Sequence, residues 1–176
     1  MSGLALFETD RLVLSGWTME QLPDLVRLHG NPAIAQYLSL SGAPWSQDQA
    51  AEALSGWIDL FETRQLGKLR VTRKSDGALI GRAGFGIYPR TGEAEIGYAL
   101  FAEYHGRGYA TEAAAGLRDW FFAQTGHDHF IGFADIRNAP SLAVLARIGM
   151  VPTHIETEPN GLKCQFHVYN RPGIND

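Results

Sequence analysis

Residues 105–110 are His105-Gly106-Arg107-Gly108-Tyr109-Ala110, and they lie between a strand predicted to end near Phe101 and a helix with an apolar stripe. The two glycines let the backbone approach a ligand closely, and the start of the helix offers unpaired N–H groups and a positive dipole end. Arg107 adds a cation that suits a phosphate. The stretch therefore fits a phosphate-binding loop, and it also fits a plain turn from strand to helix.

The surroundings of this loop disfavour two common phosphate-binding motifs. No Gly-Lys-Ser or Gly-Lys-Thr follows it, which argues against a P-loop for nucleoside triphosphates. Three strand-like runs precede it, at residues 66–73, 79–87 and 93–101, and turn-forming residues separate them. These runs predict an antiparallel meander instead of the βαβ unit of dinucleotide-binding proteins. A phosphate-bearing ligand of another kind is left.

The rest of the chain alternates between helical and strand signals. Apolar periodicity, capping-box spacings and Gly or Pro at the ends predict helices at residues 18–29, from Pro32, 46–61, 108–126 and 138–149. Further strands are predicted at residues 11–15, 130–136, 151–157 and 163–169. No repeat or linker interrupts this order, so we expect one domain over residues 1–176.

Composition narrows the class of protein. The chain has 176 residues, of which 45% are hydrophobic and 19% charged, as in an ordinary globular protein. Its net charge is −4, and its fifteen Lys and Arg residues are scattered along the chain, so nucleic acid is a disfavoured partner. No apolar run reaches the length of a membrane span and no targeting segment is recognisable at the N-terminus. We predict a cytoplasmic protein without a membrane partner, either monomer or homodimer.

Cysteine and histidine content argues against disulfides and metals. Cys164 is the single cysteine, so an internal disulfide is excluded. His127 and His129 flank Asp128, but no third ligand is nearby in sequence, and we predict no metal. The roles of His154 and His167, on the last two predicted strands, are left open between a pocket surface and ordinary packing.

Four stretches together resemble a known family. Residues 104–113, Tyr-His-Gly-Arg-Gly-Tyr-Ala-Thr-Glu-Ala, are similar to the acetyl-CoA pyrophosphate loop of GNAT acetyltransferases. Residues 8–14 resemble the opening strand of the branch with ribosomal-protein N-terminal (alanine) acetyltransferases, residues 95–98 its central strand, and residues 138–150 its later helix. The resemblance runs in the family's order from about residue 8 to 170. Two residues depart from the family pattern. The family often has Gln or Arg at the position of His105, and it usually has Phe at the position of Met150.

The resemblance implies a fold and a cosubstrate. The fold is an α+β mixture with a central mixed, mostly antiparallel sheet, splayed near the fourth predicted strand, with helices on both faces. The cosubstrate is acetyl-CoA, whose pantetheine arm would enter the splay. The residues that the resemblance assigns to the coenzyme are Ile96, Gly97, Tyr98, His105, Gly106, Arg107, Gly108, Tyr109, Ala110, Thr111 and Asn138.

The implied reaction is direct acetyl transfer to a primary amine, by an enzyme of the N-acetyltransferase class. A backbone N–H near Tyr98 would stabilise the oxyanion. Strand alternation places Glu93, Glu95 and Gly97 on one face, and Glu95 is the first candidate for the general base. A solvated strand face with a water relay is the alternative. Ser141 or Asn138 would supply the acid, although both also suit an ordinary helix start.

The acceptor is left open. A protein N-terminus, a polyamine, an antibiotic and another small amine all agree with the sequence. A protein that binds acyl-CoA without transferring the acyl group is the second hypothesis, and a structural domain without a ligand is the third. Fold alone does not decide among them, because function depends on the site that the fold carries.

Overall fold

The computed structural model describes residues 4–38 and 42–173, and within them it has eight strands and five α-helices. The strands are β1 (Ala5–Glu8), β2 (Leu12–Ser15), β3 (Gly67–Arg73), β4 (Leu79–Ile87), β5 (Ala94–Leu100), β6 (His129–Asp135), β7 (Val151–Thr157) and β8 (Lys163–Asn170). The helices are α1 (Leu22–His29), α2 (Pro32–Ala35), α3 (Gln47–Arg64), α4 (Tyr109–Gln124) and α5 (Ala139–Arg147).

All described strands form one sheet in the order β1-β2-β3-β4-β5-β6-β8-β7. Every neighbouring pair is antiparallel except β5 and β6, which are parallel. β5 pairs with β4 along its whole length, whereas it pairs with β6 only at Glu95 with Ile131 and at Ile96 with Gly132. The sheet therefore opens beyond Ile96. This confirms a mixed, mostly antiparallel sheet that splays at the fourth predicted strand, here β5.

Helices cover both faces of the sheet, as expected. On one face α4 and α5 enclose the larger core, in which Phe85, Phe121 and Phe130 are fully buried and in ring contact. On the other face α1 and α3 enclose a second core around Trp17 and Leu54. The sheet is thus held from both sides, and the splay between β5 and β6 is a gap in an otherwise rigid layer.

Two local features differ from the sequence prediction. β1 was missed because it has only four half-exposed residues, too few for an alternation signal. The predicted helix from residue 18 begins as a 3₁₀ turn, Met19–Gln21, and α1 starts at Leu22 with Pro23 in its first turn. The Thr18–Gln21 capping box is present but caps the 3₁₀ turn. The expectation of one domain over residues 1–176 stays a prediction.

Candidate active site

The glycine loop folds directly into the start of α4. Gly106 and Gly108 have φ values of 74° and 79°, in the left-handed region that a side chain disfavours. Gly108 is the N-cap of α4, and the first hydrogen bond of the helix runs from Glu112 N to Gly108 O. The amides before Glu112 are therefore not used within the helix, and they are available to an anion.

The loop is held from behind by the motif of the opening strand. The Glu112 carboxylate accepts hydrogen bonds from Thr9 Oγ1 at 2.6 Å, from Arg11 N at 2.7 Å and from Arg11 Nε at 2.7 Å. Arg11 also donates to the Arg107 carbonyl at 3.0 Å. These bonds lower the pKa of Glu112, although burial opposes them, and its carboxylate stays charged. Residues 9–11 thus fix the position of the loop through Glu112.

Two predicted coenzyme residues, Tyr109 and Arg107, do not line the cleft in front of the loop. The Tyr109 ring is buried with the Arg11 guanidinium 4.3 Å from its centroid, and its hydroxyl lies 3.5 Å from Arg73 Nη1. Arg107 has an exposed side chain and contributes its carbonyl to Arg11. The side chain of Tyr109 therefore supports the loop from behind, and the assignment of Tyr109 to coenzyme binding stays a prediction.

A cleft of about 980 Å³ extends from the loop through the opening between β5 and β6. The predicted site residues that line it are Glu95, Ile96, Gly97, Tyr98, His105, Gly106, Gly108, Ala110, Thr111, Asn138 and Ser141. The structure thus brings together residues from the loop, from β5 and from the start of α5. His105 is anchored here, because its Nε2–H donates to the Leu100 carbonyl at 2.9 Å.

The alternation predicted for β5 is present. Ile96 is buried against the core of α4 and α5, and Tyr98 packs on the same core. Glu95 is on the opposite side, where its Oε2 lies 4.0 Å from Lys68 Nζ. The surroundings of Glu95 therefore include a buried cation. Glu93 lies outside the cleft and accepts a hydrogen bond from His129.

Asn138, Ser141 and Tyr98 form one hydrogen-bonded group on the other side of β5. Asn138 is the N-cap of α5, and its Oδ1 accepts a hydrogen bond from Ser141 N at 3.3 Å. The Tyr98 hydroxyl donates to the Ser141 carbonyl at 2.9 Å and accepts from Ser141 Oγ at 3.1 Å. Burial raises the pKa of Tyr98 to about 12, so it stays protonated. The role of the Tyr98 side chain was missed, because the sequence analysis used only its backbone.

A cluster of polar side chains lies at the opposite wall of the cleft, and of its members only Glu95 was predicted from the sequence. We call it the cation cluster: His29, Lys68, Arg82 and Glu95. Lys68 is 9% exposed and Arg82 6%, and both line the cleft with Glu95. Lys68 Nζ lies 3.4 Å from the Gly84 carbonyl. Arg82 Nε donates to His29 Nε2 at 3.2 Å. No local pattern links these residues, because they come from α1, β3, β4 and β5.

The cation cluster depends on a glycine in β5. A Cβ on Gly97 would lie 2.7 Å from Lys68 Nζ, closer than a real Cβ contact permits. Lys68 pairs with Gly84 and Gly84 with Gly97 in adjacent strands, so the lysine side chain crosses two positions without side chains. The two glycines thus let Lys68 reach Glu95.

Burial shifts the ionisation of the cation cluster. It lowers the pKa of Lys68 to about 8, with Glu95 acting in the opposite direction and Arg82 in the same one. It lowers the pKa of Arg82 to about 10. Burial and the charge of Arg82 lower the pKa of His29 to about 2, so the imidazole is neutral. The cluster is therefore electrostatically unfavourable for the fold, which is typical of functional sites.

The other histidines have ordinary structural contacts. His127 stacks on Phe121, with ring centroids 5.3 Å apart, and His129 lies between Glu93 and Asp128. His154 stacks on Phe166, and burial lowers the pKa of His167. Within residues 4–38 and 42–173, no group of three or more His, Cys, Asp or Glu residues is arranged to hold a metal. In the same ranges no helix is long and apolar enough to cross a membrane.

Comparison with known proteins identifies the family. A family model described as "Acetyltransferase (GNAT) domain" matches residues 11–151. The uncharacterized N-acetyltransferase p20 of Bacillus licheniformis is 27% identical over 139 residues, which are 78% of this chain and 77% of that protein.

Two solved structures are similar along nearly the whole chain. An acetyltransferase from Agrobacterium tumefaciens str. C58 has a TM-score of 0.80 at 24% identity, covering 97% of this chain and 96% of that one. RimL, a ribosomal L7/L12 alpha-N-protein acetyltransferase in complex with coenzyme A, has a TM-score of 0.80 at 19% identity, covering 95% and 98%. At these identities the likeness shows a shared fold.

The family model covers well over half of the chain, and the sheet, its splay and the helices on both faces agree with it. The family match confirms the prediction that the protein is an acyltransferase enzyme. The chain belongs to the GNAT acetyltransferase family.

Proposed function

We propose that this protein binds acetyl-CoA in the cleft and transfers the acetyl group to a primary amine. The observation that carries the proposal is the continuity of the cleft from the glycine loop to the open edge of β5. Helix-start amides bind phosphate groups, and strand backbone without a partner strand can hydrogen-bond the amide groups of a pantetheine arm. The coenzyme A bound to RimL, a protein of the same fold, supports this choice of ligand.

In the proposed complex the loop binds the pyrophosphate. The amides of Gly108, Ala110 and Thr111 lie at or beside the start of α4, and Gly106 leaves the approach free of a Cβ. Arg107, with its exposed side chain, reaches the phosphates from outside. His105 and Asn138 lie along the same cleft, and the backbone of Ile96, Gly97 and Tyr98 holds the pantetheine arm.

Acetyl-CoA supplies an activated acetyl group as its thioester. The acceptor nitrogen forms a bond to the carbonyl carbon, and the bond from that carbon to sulfur breaks. Glu95 takes the proton from the attacking amine, and an N–H near Tyr98 donates to the oxyanion. Ser141 Oγ–H donates a proton to the departing thiolate, and the proton that Glu95 has taken returns to the serine oxygen through water. Each of these groups lines the cleft.

The hydrogen bonds around α5 support Ser141 over Asn138 as the candidate acid. Asn138 already uses its side-chain oxygen as the N-cap, and an amide N–H is a poor acid at neutral pH. Ser141 has a rotatable hydroxyl that is 3.1 Å from the Tyr98 hydroxyl. We therefore assign proton donation to Ser141, with Tyr98 as the residue that positions it.

Calorimetric titration with acetyl-CoA tests the binding step. We expect the unaltered protein to bind and Gly108→Trp to lose binding, because the new side chain fills the approach to the α4 amides. Gly77→Trp is the matched control: Gly77 has a φ of 69° in the turn between β3 and β4, so it carries the same backbone strain away from the cleft. Absence of binding in the unaltered protein would contradict the proposal.

Release of free coenzyme A thiol, measured with a panel of amines, tests the transfer step. We expect Glu95→Gln and Ser141→Ala to lower kcat by about 100-fold or more while leaving the Kd for acetyl-CoA within about threefold. Binding without turnover of any amine would favour the second hypothesis, a protein that binds acyl-CoA without transferring it. Unchanged kcat in either variant would remove that residue from the mechanism.

A further inference from the structure

The acceptor side of the cleft holds more positive charge than its nearest carboxylate balances. Lys68 and Arg82 are both more than nine-tenths buried, and Glu95 is the acidic side chain beside them. Moving a cation out of water is costly unless an anion compensates it. The cluster therefore carries one unbalanced positive charge at a place where a substrate enters.

Arg82 has donors free for a ligand. In the described ranges its side chain forms one hydrogen bond, from Nε to His29 Nε2, and no ion pair. The terminal nitrogens of Arg82 are left for the cleft that it lines. Guanidinium groups match carboxylate and phosphate oxygens in a bidentate geometry, so this arginine offers a prepared anion site.

His29 fixes the orientation of Arg82. It is fully buried and neutral, and its ring stacks on Trp45 with centroids 3.9 Å apart. Because Nε2 accepts from Arg82, the ring proton is on Nδ1, and that atom is buried without a partner among the residues that the structure describes. The fold tolerates this unfavourable arrangement, which positions a cation at the cleft.

The other carboxylates that line the cleft do not neutralise the cluster. Asp135 is paired with Arg137, which donates to both of its oxygens. Glu158 accepts from the Tyr88 hydroxyl at 2.9 Å and 3.1 Å. Glu95 raises the pKa of both Lys68 and Arg82 against the effect of burial, and neither Asp135 nor Glu158 is a cause of either shift.

We propose that the acceptor is an amine that also carries an anionic group, a carboxylate or a phosphate, which Arg82 and Lys68 bind while the amine faces Glu95. This inference rests on the proposed acetyltransferase function. It names the substrate class of the same site, and it disfavours the polyamines that the sequence left open. The two cations also oppose the protonated form of the amine, and the reaction needs the neutral form.

Matched amines test this selectivity with the intact protein and acetyl-CoA. The pairs are γ-aminobutyrate with butylamine and 3-aminopropylphosphonate with propylamine, and spermidine represents polyamines. We expect kcat/KM at least about tenfold higher for the anionic member of a pair, because a buried site built for hydrogen bonds rejects an analogue that lacks the group. Whichever anionic amine is preferred identifies carboxylate or phosphate as the group recognised.

Variants of the cluster give the second measurement. Arg82→Gln and Lys68→Met are expected to lower kcat/KM for the anionic amines by about 10- to 100-fold, mainly through KM, and to lower it by a clearly smaller factor for butylamine and propylamine, which lack the group that the cations bind. Arg64→Gln, at the exposed end of α3, is the charge-matched control and leaves all values unchanged. Calorimetric binding of acetyl-CoA confirms that each variant is folded.

The outcomes separate this inference from the proposed function. No binding of acetyl-CoA overturns the proposed function. Binding of acetyl-CoA with equal or better turnover of the uncharged amines or of spermidine overturns the inference alone, as does an equal loss for both members of a pair in Arg82→Gln. If none of these amines is turned over, calorimetric binding of the two anionic amines decides: binding that Arg82→Gln abolishes supports the inference, and no binding overturns it.

Discussion

The two walls of the cleft are built in opposite ways. The loop side consists of residues 105–111 and the start of α5, so it is mostly one continuous stretch of chain, and its amides before Glu112 are not used within the helix. The cation cluster is made of single side chains from α1, β3, β4 and β5. A site built from backbone leaves a local glycine pattern, here Gly106-Arg107-Gly108, whereas a site built from side chains leaves isolated residues. The difference explains why the sequence predicts the loop side and does not predict the cation cluster.

The walls also differ in what they contribute to stability. The support of the loop is a set of satisfied hydrogen bonds on Glu112, with its pKa lowered by Thr9 and Arg11. The cation cluster has two buried cations with lowered pKa values and an unpaired His29 Nδ1. We therefore expect replacement of the supporting side chain Glu112 to destabilise the protein. Replacement of a buried cation in the cation cluster is expected to stabilise it and to lower its activity.

The largest effect is expected from Glu112→Ala. The substitution removes an acceptor of three hydrogen bonds, two of them from Arg11, and leaves the loop without its anchor. We expect the free energy of unfolding to fall by about 2–4 kcal/mol. Urea denaturation measures this loss, and calorimetry measures the accompanying loss of affinity for acetyl-CoA, which we expect to be about tenfold.

Glu52→Ala is the control for this substitution. Glu52 is an exposed acid on α3, and its replacement is expected to change the free energy of unfolding by less than about 0.5 kcal/mol. A change of similar size in Glu112→Ala, with unaltered acetyl-CoA affinity, would show that residues 9–11 do not position the loop.

An opposite sign is expected for Lys68→Met. The pKa of Lys68 is lowered to about 8 in the folded state, so the unfolded chain binds its proton more tightly. The stability of the unaltered protein therefore rises with pH between about 8 and the unfolded value near 10.4. We expect Lys68→Met to be more stable by about 1–2 kcal/mol at pH 7.5, and the difference to close by about pH 9.5.

Urea denaturation at the two pH values measures this difference, and the exposed Lys74 is the control. Lys74 is ion-paired with Glu8 at the surface, so Lys74→Met is expected to change the free energy of unfolding by less than about 0.5 kcal/mol at either pH. A Lys68→Met protein that is less stable than the unaltered one at pH 7.5 would mean that the ion pair with Glu95 outweighs the cost of burial.

Local signals in the sequence account for most of the fold. The capping box at Ser46–Gln49, the N-cap at Asn138 and the positive-φ glycines 106 and 108 are where the residue types predicted them. Each of these features depends on neighbours within a few positions. β1 has no such signal, because four residues pair with β2 and owe their place to contacts such as Phe7 with Trp120.

The candidate site could be predicted only where it follows the chain. The family resemblance assigns Tyr109 to the coenzyme, whereas its side chain contacts Arg11 and Arg73, which are distant in sequence. Lys68 and Arg82 lie in strands whose other residues predicted only a meander. Their meeting with Glu95 depends on the register of β3, β4 and β5, and no spacing in one sequence reports a register.

The smallest effect is expected outside the cleft, at His129, and it sharpens the contrast with Lys68. Both bases lie beside carboxylates, but His129 is at the surface, and its hydrogen bond to Asp128 and contact with Glu93 raise its pKa. The pKa of His129 in the unfolded chain is about 6.5, and His129 makes its full contribution to stability below that pH. The contribution is lost as the pH rises through the higher pKa of the folded state.

We expect His129→Gln to cost about 0.5–1 kcal/mol at pH 6 and almost nothing at pH 9, as measured by urea denaturation. In a Glu93→Gln, Asp128→Asn background the same substitution is expected to lose this pH dependence, because the charges that raise the pKa are gone. A cost that grows with pH would contradict the assignment. His129 and Lys68 would then respond to pH in the same direction. The His129 ion pair could no longer be distinguished, as a contact that stabilises the fold, from the cation cluster, which we infer is retained for a ligand.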